Sequence, residues 1–119
     1  MNTIALDSIV LIDYLNKIRA DYKAWMVRCT TADGGKHWTD PSPRIKEFQD
    51  AIEVKFGSKY IKILSGGSAH SFIVNTDKDA KFKKGDILMA ASWSTPARNK
   101  PRGNIFDSVY RVKWTGAYG

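Results

Sequence analysis

The feature that most constrains this chain is a change of period at Gly57. Before it, apolar residues recur at the three-and-four spacing of a helical face; after it they come in short branched and aromatic runs divided by turn residues. A chain patterned this way cannot bury its apolar surface as helices alone or as a sheet alone. It predicts an α+β fold: two N-terminal helices followed by a mostly antiparallel sheet of four to five strands, or a small partly open barrel.

In "LDSIVLIDYLNKIRADYKAW", Leu11, Tyr14, Leu15, Ile18, Tyr22 and Trp25 share one face, which predicts a helix over about 7 to 23. Asp7 or Thr3 can cap its start, and Asp13 with Lys17 makes a favourable i,i+4 pair. From there the chain either turns through a hairpin at Asp33-Gly34-Gly35 or continues as helix toward Thr30. "TDPSPRIKEFQDAIEVKFG" predicts a second helix, with Ser42 as N-cap, Pro43 at the first helical position and Gly57 just past the end. Ile45, Phe48, Ile52 and Phe56 then fall on one face.

The second half predicts four strands in "KYIKIL", "SFIV", "DILMAASW" and "VYRVKWT". "SGGS" at 65 to 68 joins the first two as a hairpin, and Gly85 ends the loop before the third. In the last run Val109, Arg111 and Lys113 alternate with Tyr110, Val112 and Trp114, so one face is expected to be cationic and the other buried.

With 119 residues the chain has room for one core, so residues 1–119 are read as a single domain with a helical part to 57 and a basic β part beyond. No apolar run approaches the roughly 18 to 20 residues that span a bilayer, and acids interrupt the apolar start, so neither a membrane helix nor a signal peptide is expected. One cysteine, Cys29, forms no internal disulfide, which suits a reducing cytoplasm. The net charge of +7 is lopsided. Residues 1 to 56 carry eight cations and eight anions, whereas residues 57 to 119 carry eleven against four. Segregation of that kind makes a directed field and raises the expectation of a polyanionic partner.

Other chemistries fail on spacing. "SGGSAHS" lacks the Lys-Ser/Thr and the helix of a phosphate loop and reads as a hairpin turn. His37 and His70 are tied by no motif to Cys29 or to a serine; strand alternation places His70 on the opposite face from Ser71. One cysteine and two histidines lack zinc-site spacing, and no cofactor motif is found. Asp77, Asp79, Asp86 and Asp107 are the acids available to nuclease chemistry, but "NTDKDAKFKKGD" has Phe82 where a calcium loop needs glycine.

The basic and aromatic residues remain. Lys81, Lys83 and Lys84 precede one expected strand, Arg98, Lys100 and Arg102 fill the loop after it, and Arg111 and Lys113 lie on the last. Cations spread over a sheet meet backbone phosphates, while an exposed Trp93 or Phe106 can stack on unpaired bases. Pro96 and Pro101 stiffen the loop that carries the central cations. These nine residues, with Trp93 as the aromatic among them, are the expected binding set, for DNA or RNA or for an acidic protein surface. Lysines before a strand also guard sheet edges, and tryptophan more often fills a core, so the same residues have a purely structural reading.

From about Lys59 to Gly116, "FKKGDILMAASWSTPARNKPRGNIF" and the closing "YRVKWTG" resemble small uncharacterised proteins of tailed bacteriophages. The resemblance implies a phage accessory protein in a bacterial cytoplasm that manages nucleic acid or obstructs a host or defence protein. It carries no catalytic residue.

Overall fold

Leu11, Tyr14, Leu15 and Ile18, the stripe anticipated on the first helix, lie fully or almost fully buried against a four-stranded sheet. The structure is a computed structural model and describes residues 8–31, 40–107, 110 and 112–116. Its elements are α1 (Ile9–Thr31), α2 (Ser42–Asp50), β1 (Ile52–Phe56), β2 (Tyr60–Ser65), β3 (Ser68–Val74) and β4 (Ile87–Met89). The sheet is antiparallel and open, in the order β1-β2-β3-β4. The α+β class therefore holds, as an open sheet and not a barrel.

α1 runs through residues 24 to 31, so no hairpin begins there; the proposed turn at 33 to 35 and the caps at Thr3 and Asp7 lie outside the described residues. The Asp13–Lys17 pair forms at 2.6 Å. The second helix ends earlier than its sequence suggests. α2 stops at Asp50, Ala51 closes it with its N–H on Glu47 and Phe48 carbonyls, and Ile52 to Phe56 become a strand. That segment fits two periods at once: Ile52 and Phe56 continue a helical face, yet Ile52 and Val54 alternate with Glu53 and Lys55. Pairing Ile52–Phe56 with residues 61–65 of β2 forms a five-residue ladder and packs Ile52 and Val54 on the core. At its start the N-cap is Pro41, not Ser42, and Pro43 is the second helical residue; the side chain of Asp40 accepts the Ser42 N–H at 3.0 Å.

The β2–β3 hairpin forms as expected, with Gly66 and Gly67 at φ +58° and +85°, both in the left-handed region a tight two-residue turn demands. β4 is shorter than the run "DILMAASW". Thr95 turns the chain back by accepting the N–H groups of Ala91 and Ser92, and Ala90 bridges to Pro96. Of the strand expected in "VYRVKWT", Val109 and Arg111 lie outside the described residues. Tyr110, Val112 and Trp114 do pack against the core, and Lys113 to Gly116 close a tight turn.

The sheet buries both faces differently. Toward the helices, the row Phe56, Ile61, Ile73, Ile87 runs across the four strands, with the three isoleucines solvent-free. Burying each is worth roughly 1.5 to 3 kcal/mol. On the opposite face the neighbouring row reads Lys55, Lys62, Phe72, Leu88. Its apolar end joins Val74 and Phe82 in a second small core, whereas its cationic end lies toward the open edge.

Candidate nucleic-acid interface

The outer row places two cations side by side. Lys55 and Lys62 are direct partners in the β1–β2 ladder, a position where like charges oppose folding. Trp93, from the turn after β4, is 55% exposed and donates its indole N–H to the Gly67 carbonyl at 3.2 Å. Its ring lies over the Lys62 ammonium, 3.1 Å from the ring centroid, with the Lys55 ammonium at 5.9 Å. Lys62 loses hydration in this position and feels the Lys55 charge, and in that order the two effects hold its amine below the ordinary lysine range. Beside the pair is a groove of about 450 Å³ whose lining includes Lys59, Tyr60, Phe72 and Ser94. A second hollow of about 300 Å³ has Trp93 in its wall.

The loop cations anticipated from sequence are placed differently from one another. Arg98 turns inward. Its guanidinium makes two 3.0 Å bonds to the carboxylate of Asp79, a third to the Tyr60 hydroxyl, and covers the Phe82 ring at 4.8 Å. Asp79 is completely enclosed and also accepts the backbone N–H groups of Lys81 and Phe82 at 2.8 and 3.0 Å and the Lys59 ammonium at 3.1 Å. With Arg98 the largest influence, these donors hold its carboxyl far below the usual carboxylate range. Lys81 sends its ammonium to the Arg98 carbonyl, and Lys84, only 12% exposed, pairs with Asp77 at 3.1 Å. Lys83, Lys100 and Lys113 are exposed, and Arg102 is half-buried with its backbone N–H on Ile87. Arg111 lies outside the described residues. Of the nine, Trp93 is the residue that meets a cation pair, and that pair, Lys55 and Lys62, was not in the set.

A second polar cluster lies under the sheet. The register slips between Ile63 and Leu64, which pair with Ser71 and Ala69, leaving His70 without a partner as a bulge. The extra residue carries His70 to the same side as Ser71, against the simple alternation expected from sequence. His70 Nε2 lies 2.7 Å from the Lys113 carbonyl and therefore carries the proton, so Nδ1 accepts the Ser71 hydroxyl at 2.8 Å, and Ser71 in turn accepts the Tyr14 hydroxyl at 2.5 Å. Burial is the larger influence on the imidazole and keeps its pKa below the ordinary value. Ser71 is solvent-free with its hydroxyl engaged on both sides, so it presents no nucleophile to a substrate. The relay fastens the closing turn, which Asp21 also holds through the Trp114 N–H at 2.9 Å.

The remaining acids do not assemble. Asp86 accepts from the Lys83 N–H and the Asn104 side chain, and among the described residues no three His, Cys, Asp or Glu side chains gather in a way that could hold a metal. Nor is any helix among them long and apolar enough to cross a membrane. No family model, curated protein or solved structure matches the chain.

Proposed function

We propose that the protein is a non-enzymatic nucleic-acid-binding protein of the phage accessory type, working in a bacterial cytoplasm, and that its contact surface centres on the outer sheet face at Lys55, Lys62 and Trp93. The observation that carries this reading is the cross-strand lysine pair. Two ammonium groups held together next to an exposed indole lower the stability of the free protein, and a bound polyanion is the partner that turns this cost into attraction. The exposed Lys83, Lys100 and Lys113 add to the net positive charge of the second half of the chain.

Fluorescence anisotropy with labelled oligonucleotides tests the reading. Binding is expected to weaken steeply with added salt, as released counterions require. Salt-insensitive binding, or none to DNA or RNA at low ionic strength, overturns it. A pull-down from nuclease-treated bacterial lysate separates it from the other use of such a surface. A stoichiometric acidic protein retained after that treatment points instead to an inhibitor of a host or defence protein.

A further inference from the structure

We propose that the nucleic acid is single-stranded, and that an unpaired base stacks on the Trp93 indole where the Lys62 ammonium now sits, while Lys55 and Lys62 turn to the flanking phosphates. This rests on the nucleic-acid reading above and adds the strand state and the stacking residue.

The indole is presented, not merely exposed. Its N–H is anchored on the Gly67 carbonyl of the β2–β3 turn, and its own turn is braced by a Ser92–Thr95 hydroxyl contact at 2.7 Å and by the Thr95 N–H on Ser92 at 3.2 Å. The ring plane is thus set by two separate turns before any ligand arrives, which limits the ordering cost of binding. A cation over an exposed ring is a weak contact that a base can replace, since every base offers a π-face. The displaced ammonium has an evident destination. It already lies beside Lys55, and a phosphate between the two relieves their repulsion and their lost hydration together.

The groove next to the pair favours a single strand over a duplex. Its volume of about 450 Å³ lies in the range of small-ligand sites, and Phe56 and Tyr60 give it aromatic walls. A base splayed out of a single strand can enter it and stack. In a duplex the base faces are occupied by their neighbours, leaving the cations to act alone.

The test compares labelled oligo-dT, oligo-U and a mixed-sequence duplex of the same length, at low salt, with the wild type, Trp93→Ala, Trp93→Phe and Lys55→Ala/Lys62→Ala. Both single strands are expected to bind at least tenfold more tightly than the duplex. Trp93→Ala should weaken single-strand binding by about tenfold or more with the salt slope unchanged, and Trp93→Phe should restore most of the loss. The double lysine variant should lower the salt slope by about 1.4. A higher affinity for one of the two single strands shows which nucleotide, dT or U, the site prefers and supports the proposal. Thermal unfolding of each variant confirms the fold. Equal affinity for duplex and single strand, or a Trp93→Ala protein that binds like the wild type, overturns this inference and leaves nucleic-acid binding itself in place. Absence of binding to all three probes overturns both.

Discussion

The carboxylate of Asp79 and the guanidinium of Arg98 meet face to face through two 3.0 Å bonds, and this pair joins the loop before β4 to the loop after it. The cation that stands out in the middle of the basic loop is therefore part of the scaffold. A bidentate pair with one partner fully enclosed is held by geometry as much as by charge.

Asp79→Ala should destabilise the protein more than Arg98→Ala. The first leaves Arg98, Lys59 and two backbone N–H groups without their acceptor, whereas the second leaves Asp79 with three donors. Urea unfolding checks the order. Because the folded carboxyl titrates below its unfolded value of about 3.9, its stabilisation is complete above that pH and is lost as pH falls below it. Acid unfolding of Asp79→Asn should accordingly be less steep than that of the wild type, and equal steepness would contradict the role given to this group.

His70 makes the opposite end of the molecule sensitive to milder acid. Its folded pKa lies below the ordinary 6.5, so its contribution is complete above about pH 6.5 and declines as pH falls through the lower folded value. The thermal midpoint should drop between neutral pH and pH 5, and His70→Gln should flatten that slope. Asp21, Asp13 and Lys17 on α1, Tyr14, and Tyr110 and Lys113 in the closing segment are the titratable groups around this region.

Ser71→Ala in the same relay should cost about 1 to 3 kcal/mol, because it strands the Tyr14 hydroxyl and His70 Nδ1 in a dry interior. Tyr14→Phe, which removes one donor and leaves the Ser71–His70 bond intact, should cost about 1 kcal/mol. Denaturant titration of the two variants distinguishes the losses.

Lys62→Gln should move stability and binding in opposite directions. Removing one member of the Lys55–Lys62 pair relieves cross-strand repulsion and raises the thermal midpoint slightly, while oligonucleotide affinity falls. A loss in both assays would mean that the Lys62–Trp93 contact outweighs the repulsion.

Gly85→Ala should destabilise by about 1 to 3 kcal/mol. Gly85 has φ +91°, and an added Cβ would lie 2.5 Å from Phe106 Cδ2 and 2.8 Å from Asn104 Oδ1. Asn104 has little freedom to yield, since its amide bonds both Asp86 and the Lys84 carbonyl at 3.0 Å. Equilibrium unfolding in urea measures the loss.

Spacing and turn chemistry suffice for the elements whose signal is local. The buried stripe of α1, the Gly66-Gly67 turn and the strands around it follow from spacing and from backbone angles that only glycine adopts cheaply, and Tyr110, Val112 and Trp114 were legible as core from their alternation. Tertiary structure decided the rest, for three distinct physical reasons. Residues 52 to 56 satisfy a helical and a strand period equally, and the ladder to β2 chose between them. His70 and Ser71 share a side because of a bulge, and a one-residue slip leaves no trace in composition. Arg98 and Lys62 are both basic residues in a basic half, yet one is paired with Asp79 and the other is placed against Lys55 and Trp93. The alternation in "YIKI" puts Lys62 at an outward strand position, whereas "EVKF" puts Lys55 there only once its segment is a strand and not the end of the second helix. That the two outward positions coincide depends on strand register, which is set by the intervening turn and the packing of the opposite face.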